Sequence, residues 1–235
     1  MSANPSLGAT TADQPLITAV INAPVGDDRQ GGDFYVIEQR GPCWMLLLGD
    51  VTGKGEQAAP EARRAAGAAR GLLSQVSDPA ELLALLNQEL YADRDFETSV
   101  AMCALFIDTE KRAATWAFAG HVPPCWLDTG LPVDGATPGL PLGLEPVCDA
   151  TSAGRRPLRP GEGLVLFTDG LEDVRGPGND RFGIARISHT LASDLYGASP
   201  DVVVEGLKAA ACRFGGGELY DDVCILAFRL TAVGL

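Results

Sequence analysis

Short apolar runs in this chain come in adjacent pairs, and helical segments are inserted between those pairs two at a time. Leu16 to Ala23 is strand-like and is followed by a turn-rich stretch, Pro24 to Gly32. Phe34 to Gln39 and Trp44 to Leu48 flank Arg40-Gly41-Pro42, whose turn chemistry predicts a hairpin. Thr98 to Ile107 and Ala113 to Ala119 flank the polar turn Asp108-Thr109-Glu110-Lys111. Cys125 to Leu127, Leu164 to Phe167 and Val223 to Leu230 complete the strands. This order is not βαβ alternation, so it argues against a doubly wound parallel sheet. It predicts an α+β fold with two mostly antiparallel sheets and helices outside.

The helices carry their own signals. Gln57 to Ser74 is alanine-rich, and Pro60 is tolerated only because it falls in the first turn. Asp78-Pro79-Ala80-Glu81 supplies a cap, a proline at the first helical position and an acid three residues after the cap. Leu82, Leu83, Leu85, Leu86 and Leu90 continue as a helical stripe. Two later helices are expected, one over Ile184 to Tyr196. The other has Ser199 as cap, Pro200 just inside, and its end near Gly215.

The chain has 235 residues, of which 46% are hydrophobic, enough for one large domain with an aliphatic, alanine-rich core. Residues 1–14 are small and polar and are expected to be a disordered lead-in to a single domain over 15–235. No composition break or internal repeat divides that domain, and no sensory domain is evident. The net charge is −13, from 31 acidic and 18 basic residues. Such a surface repels nucleic acid and anionic lipid. The six cysteines form no CxxC pair, and most of them read as small core residues. The N-terminus lacks the basic and apolar regions of a signal peptide, and no stretch reaches the length of a membrane span. A cytoplasmic protein is the simplest expectation.

Aspartate recurs where a strand meets a turn. Asp33 follows Gly31-Gly32, and Asp50 precedes Val51-Thr52-Gly53-Lys54-Gly55. Asp169 ends the run Leu164 to Phe167, and Asp221-Asp222 stands before the last strand. A lone aspartate in such a place is ordinarily a turn or cap residue. A set of them can instead be held together by hard divalent cations, because Mg²⁺ and Mn²⁺ prefer oxygen ligands. Two such ions can activate a bridging water and neutralise a phosphoryl group.

Several motifs occur in a characteristic order: GGDFY (Gly31 to Tyr35), GDVTGKG (Gly49 to Gly55), TSVAMCALFID (Thr98 to Asp108), FAGHVPP (Phe118 to Pro124), PLGL (Pro141 to Leu144), LRPGEGLVLFTDGLED (Leu158 to Asp173), Phe182-Gly183 and DDVCILAF (Asp221 to Phe228). In this order they resemble the PPM metal-dependent protein phosphatases, in the sporulation-protein-E-like (protein phosphatase 2C-like) branch, from about Leu16 to Leu230. The resemblance implies a four-layer α-β-β-α sandwich with a two-metal centre at one end, holding Mn²⁺ or Mg²⁺. It implies that Asp50 bridges both metals, that Val51 contributes its backbone carbonyl, and that Asp169 and Asp221 complete the first site. Asp33 would act at the second metal, Asp222 would support the ligands, and Gly170 would let the turn close. Asp50 and Asp169 are then the catalytic residues, and activated water attacks phosphoserine or phosphothreonine in line. The resemblance further implies a phosphorylated protein substrate such as an anti-sigma-factor antagonist, in bacterial partner-switching or stress signalling. It also implies that the helices from Gln57 to Tyr91 form a switch controlling metal binding.

Other assignments stay open. Val36 stands where many relatives carry a second acid, which keeps a catalytically weak binding or sensor module as the alternative. His121 is either a proton donor to the leaving group or a residue that orders its loop. Arg29 and Lys54 are either phosphate-facing or solvated. GDVTGKG is not a P-loop, since it lacks the upstream glycine and has Gly55 where Ser or Thr should hold Mg²⁺. Gly31-Gly32-Asp33-Phe34 lacks the second acid of a cyclic-dinucleotide synthase. Asp93-Arg94-Asp95 follows a helix rather than a core strand, against an aspartyl-phosphate phosphatase.

Overall fold

The computed structural model describes residues 14–25, 30–53, 58–93, 96, 98–134, 139–148, 154–217 and 219–232. The lead-in 1–13, Arg29, Lys54, Arg94 and Asp95 lie outside them. In chain order the elements are β1 (Leu16–Ala23), β2 (Asp33–Arg40), β3 (Cys43–Val51), α1 (Ala59–Leu72), α2 (Pro79–Ala92), β4 (Val100–Asp108), β5 (Ala113–Ala119), β6 (Cys125–Trp126), β7 (Gly154–Pro157), β8 (Gly163–Phe167), α3 (Asp169–Glu172), α4 (Gly183–His189), α5 (Pro200–Phe214) and β9 (Val223–Leu230).

Two antiparallel sheets form, ordered β1-β9-β8-β6 and β2-β3-β4-β5-β7. Their apolar runs are continuous because both faces of the central strands are covered, and successive side chains point to opposite faces. On β3, Leu46 and Leu48 face the other sheet, while Met45 and Leu47 face the helices α1 and α2. On β9, Cys224, Leu226 and Phe228 point into the space between the sheets. Val223, Ile225 and Ala227 instead meet Val203, Val204 and Leu207 of α5. Three apolar layers therefore separate four layers of backbone, the α-β-β-α arrangement expected.

The helices follow their sequence signals with two exceptions. The Asp78 side chain caps α2 by accepting from Ala80 N at 2.8 Å and Glu81 N at 3.4 Å. The buried face of α1 is Ala59, Ala62, Ala65, Ala66 and Ala69, so that helix lies close on β2 and β3. Ser199 precedes α5 but makes no side-chain cap bond. The helix expected over Ile184 to Tyr196 is α4 followed by a π-helical turn, Thr190–Asp194. The short strand β7 was not among the expected elements. No helix among the described residues is long and apolar enough to cross a membrane. Cys43, Cys103, Cys125, Cys212 and Cys224 are free thiols.

Candidate active site

At one end of the sandwich, β2 begins, β3 ends, β8 ends and β9 begins. Each of these termini carries an aspartate, so the β2–β3 hairpin and the antiparallel pairing of β8 with β9 bring the carboxylates together. Asp33 and Asp50 are directly opposite in the antiparallel register of β2 and β3. Like charges so placed destabilise a sheet. Asp33 is buried, Asp50 and Asp221 are half-buried, and Asp169 is exposed, so the cluster opens to solvent on the Asp169 side.

Asp169 is the first residue of the helical turn α3 rather than the last of a strand. Thr168 precedes it without capping the turn, because its hydroxyl is committed elsewhere. That hydroxyl donates to Asp33 Oδ2 at 2.7 Å and accepts from Cys224 N at 2.9 Å. Thr168 thereby ties the start of β2 in one sheet to β8 and β9 in the other. It was not singled out from the sequence, where its only signal is its place before Asp169.

Asp222 is a buried acceptor. It takes Val25 N on Oδ1 and Gly32 N on Oδ2, both at 2.8 Å. The Gly31-Gly32 pair makes this approach possible. A Cβ at Gly31 would lie 2.0 Å from Asp222 Oδ2, and one at Gly32 would lie 2.8 Å from the Val51 carbonyl oxygen. A Cβ at Gly170 would lie 2.0 Å from the Asp222 carbonyl oxygen, so glycine lets α3 close on the start of β9.

The electrostatics reflect the crowding. Burial raises the Asp33 carboxyl well above its ordinary range, and Asp50 adds to the rise. Burial likewise raises Asp50 to about 7, with Asp169 and then Asp221 contributing repulsion. His121 is buried, and burial lowers its pKa to about 4. Its Nδ1 donates to the Val122 carbonyl at 2.8 Å. The ring is therefore neutral at pH 7 and orders its own loop.

Val36 is fully buried among the residues that face α1 and α2. It pairs with Leu47, three residues along the ladder from Asp33, so the missing acid leaves a core position rather than a gap at the strand ends. Among the described residues, no three His, Cys, Asp or Glu side chains form a ready-made metal cage.

The model of the Stage II sporulation protein E (SpoIIE) family matches residues 40–231. The chain belongs to the SpoIIE family. No curated protein matches it in sequence. Among solved structures, this SpoIIE-family chain resembles the RsbU and RsbW domains of Rv1364c from Mycobacterium tuberculosis. The TM-score is 0.79 and the identity 24%, covering 94% of this chain and 61% of that one. The SiaA-PP2C domain of Pseudomonas aeruginosa gives a TM-score of 0.78 at 24% identity, over 90% of this chain and 85% of that one. The catalytic domain of the serine/threonine protein phosphatase PstP, in complex with two manganese ions, gives 0.63 at 17%, over 92% and 98%. At these identities the likeness establishes a PP2C-type phosphatase fold. The chain spans about three fifths of the RsbU–RsbW structure.

Proposed function

We propose that this SpoIIE-family domain is a metal-dependent phosphatase acting on phosphoserine or phosphothreonine of a protein substrate. The observation that carries the reading is the in-register placement of Asp33 against Asp50, with Asp169 and Asp221 pressing on the same charge. Such repulsion is costly unless a cation or a proton relieves it.

The donors fit a hard divalent ion. All are oxygens, and Mg²⁺ needs only one or two carboxylates because it keeps several waters; the lack of a closed cage is consistent with that. Asp50, Asp169 and Asp221 with the Val51 carbonyl would hold one ion, and Asp33 and Asp50 a second. Bound there, Mn²⁺ or Mg²⁺ would supply an activated water and offset charge on the phosphoryl oxygens.

The chain's own residues orient this chemistry. Thr168 fixes the Asp33 carboxylate from the opposite sheet. Asp222 holds the Gly31-Gly32 backbone so that β2 starts at the right depth. Asp169 lies exposed where a phosphoryl group can enter. His121, neutral and bonded to its own loop, is read as a loop-ordering residue rather than as an acid. By resemblance, the substrate is a phosphorylated anti-sigma-factor antagonist in a partner-switching pathway, and α1 and α2 control the site. Val36 lies in the core, away from the strand ends; a catalytically weak binding or sensor module is the alternative, which metal-dependent turnover decides.

Release of inorganic phosphate from phosphoserine, phosphothreonine and phosphotyrosine peptides, with Mn²⁺ and with chelator, tests the reading. Metal-dependent release from the first two is expected. Release that chelator leaves unchanged contradicts it.

A further inference from the structure

A groove of about 1040 Å³ runs along the open side of the sandwich between α1 and α5. Residues 19–22 of β1 and 33–35 of β2 lie along its floor. Both strands are at the edge of their sheets, so each has a row of backbone groups facing no further strand; of these, the Asp33 carbonyl accepts from Asn22 Nδ2 of β1 at 3.2 Å. One end of the groove reaches Gly31 and Asp33 of the carboxylate cluster. The two walls carry opposite charge. Arg63 and Arg70 line it from α1, and Asp201 and Glu205 line it from α5; all four are exposed.

We propose that this groove binds, in extended conformation, the segment of a phosphoprotein substrate that flanks its phosphorylated residue. The inference rests on the phosphatase reading and adds to it how the substrate chain is recognised. An extended segment can pair with an edge strand, which a helix cannot do. Its side chains alternate between two sides, here toward the basic wall and the acidic wall. Asp201 and Glu205, four residues apart on a helix, are separated by ~6 Å of rise, close to the ~6.6 Å between alternate residues of a strand. The preferred segment therefore carries acids on one parity and bases on the other. The phosphorylated residue sits at the Asp33 end. The Arg63 guanidinium already engages Gln30 at that end, while Arg70 lies two turns further along α1.

The test uses phosphothreonine peptides on a valine background, with glutamate or lysine at alternate flanking positions of either parity. The wild type should turn over the glutamate peptide about fivefold better, in kcat/KM, at one parity. At the other parity lysine should win. Arg70→Glu should erase or reverse the first preference and keep the second; because each preference is a ratio on one enzyme, a general loss of rate cancels. Equal turnover of all peptides, or a preference that survives Arg70→Glu, overturns the proposal. If neither these peptides nor an aryl phosphate is hydrolysed, the phosphatase reading fails. Fluorescence anisotropy with the same peptides then decides the groove: a parity preference supports it and its absence overturns it. A concentration-dependent dimer abolished by Val202→Arg would place a second copy in the groove and also overturns it.

Discussion

Asp33 and Asp50 face each other across β2 and β3 as a register pair, two carboxylates at one rung of an antiparallel ladder. A hydrogen bond with Asp33 eases the Asp50 carboxylate, while burial, Asp169 and Asp221 oppose it; a cation bound at this end of the sandwich would relieve that crowding. Function and stability should therefore respond to Asp50 in opposite directions.

Asp50→Asn removes a charge that Asp169, Asp221 and Asp222 all oppose. In chelator at pH 8.5 the variant should melt above the wild type, by about 2–4 °C for each kcal/mol of repulsion relieved. Calorimetric or dichroic melting of the two proteins checks this. A lower melting temperature for the variant would show that Asp50 is stabilised by its neighbours rather than strained by them.

That difference should depend on pH. The Asp50 carboxyl sits at about 7 in the fold against an ordinary 3.8. A carboxyl raised in this way contributes stability that is complete below about pH 4 and is lost as pH rises through about 7. The gap between Asp50→Asn and metal-free wild type should thus be smallest below about pH 4, grow through pH 5 to 7 and be widest at pH 8.5. Taking the difference also cancels His121, which acts in the other sense: its pKa is lowered from 6.5 to about 4, so its contribution is lost as pH falls through that window. Melting at a series of pH values, with Mn²⁺ added back at pH 8.5, follows the effect; the metal should stabilise wild type and leave the variant nearly unchanged.

Thr168 joins the two sheets at the site, donating to Asp33 and accepting from Cys224 N. Thr168→Val leaves a buried backbone N–H without its acceptor and should cost about 1–3 kcal/mol. Thr168→Ser keeps both bonds and should stay close to wild type. Denaturant unfolding of the pair, with metal-dependent turnover beside it, separates the hydroxyl's role from that of the methyl group.

Gly170 lies under the carbonyl of Asp222, where a Cβ would stand 2.0 Å from the oxygen. Both partners are backbone at the ends of α3 and β9, so neither can yield cheaply. Gly170→Ala should destabilise the domain by about 1–3 kcal/mol and lower activity with it, because Asp169 and Asp221 flank the displaced contact. Parallel unfolding and turnover measurements check both losses.

Much of this architecture is legible in the chain because burial on both faces writes itself as uninterrupted apolar runs. Met45 to Leu48 serves two cores at once, and Val223 to Phe228 does the same. The capping signal at Asp78 is equally direct, since the side chain itself makes the bonds. β7 is different: Gly154–Pro157 reads GRRP, with no alternation of apolar residues to announce an edge strand. The aspartates could be picked out by their strand-end positions, whereas the pairing of Asp33 with Asp50 exists only once the hairpin register is set. Thr168 was missed because its only signal in the sequence is its place before Asp169, and its bonds to Asp33 and Cys224 depend on the packing of two sheets.

The most direct test of the central claim is hydrolysis of an aryl phosphate with Mn²⁺, with Mg²⁺ and with chelator, by wild type, Asp50→Asn and Asp169→Asn. Turnover by the wild type that requires the metal, and its loss in both variants while each stays folded, is the predicted result. Equal turnover in chelator, or full activity in either variant, would contradict a metal-dependent centre built on these carboxylates.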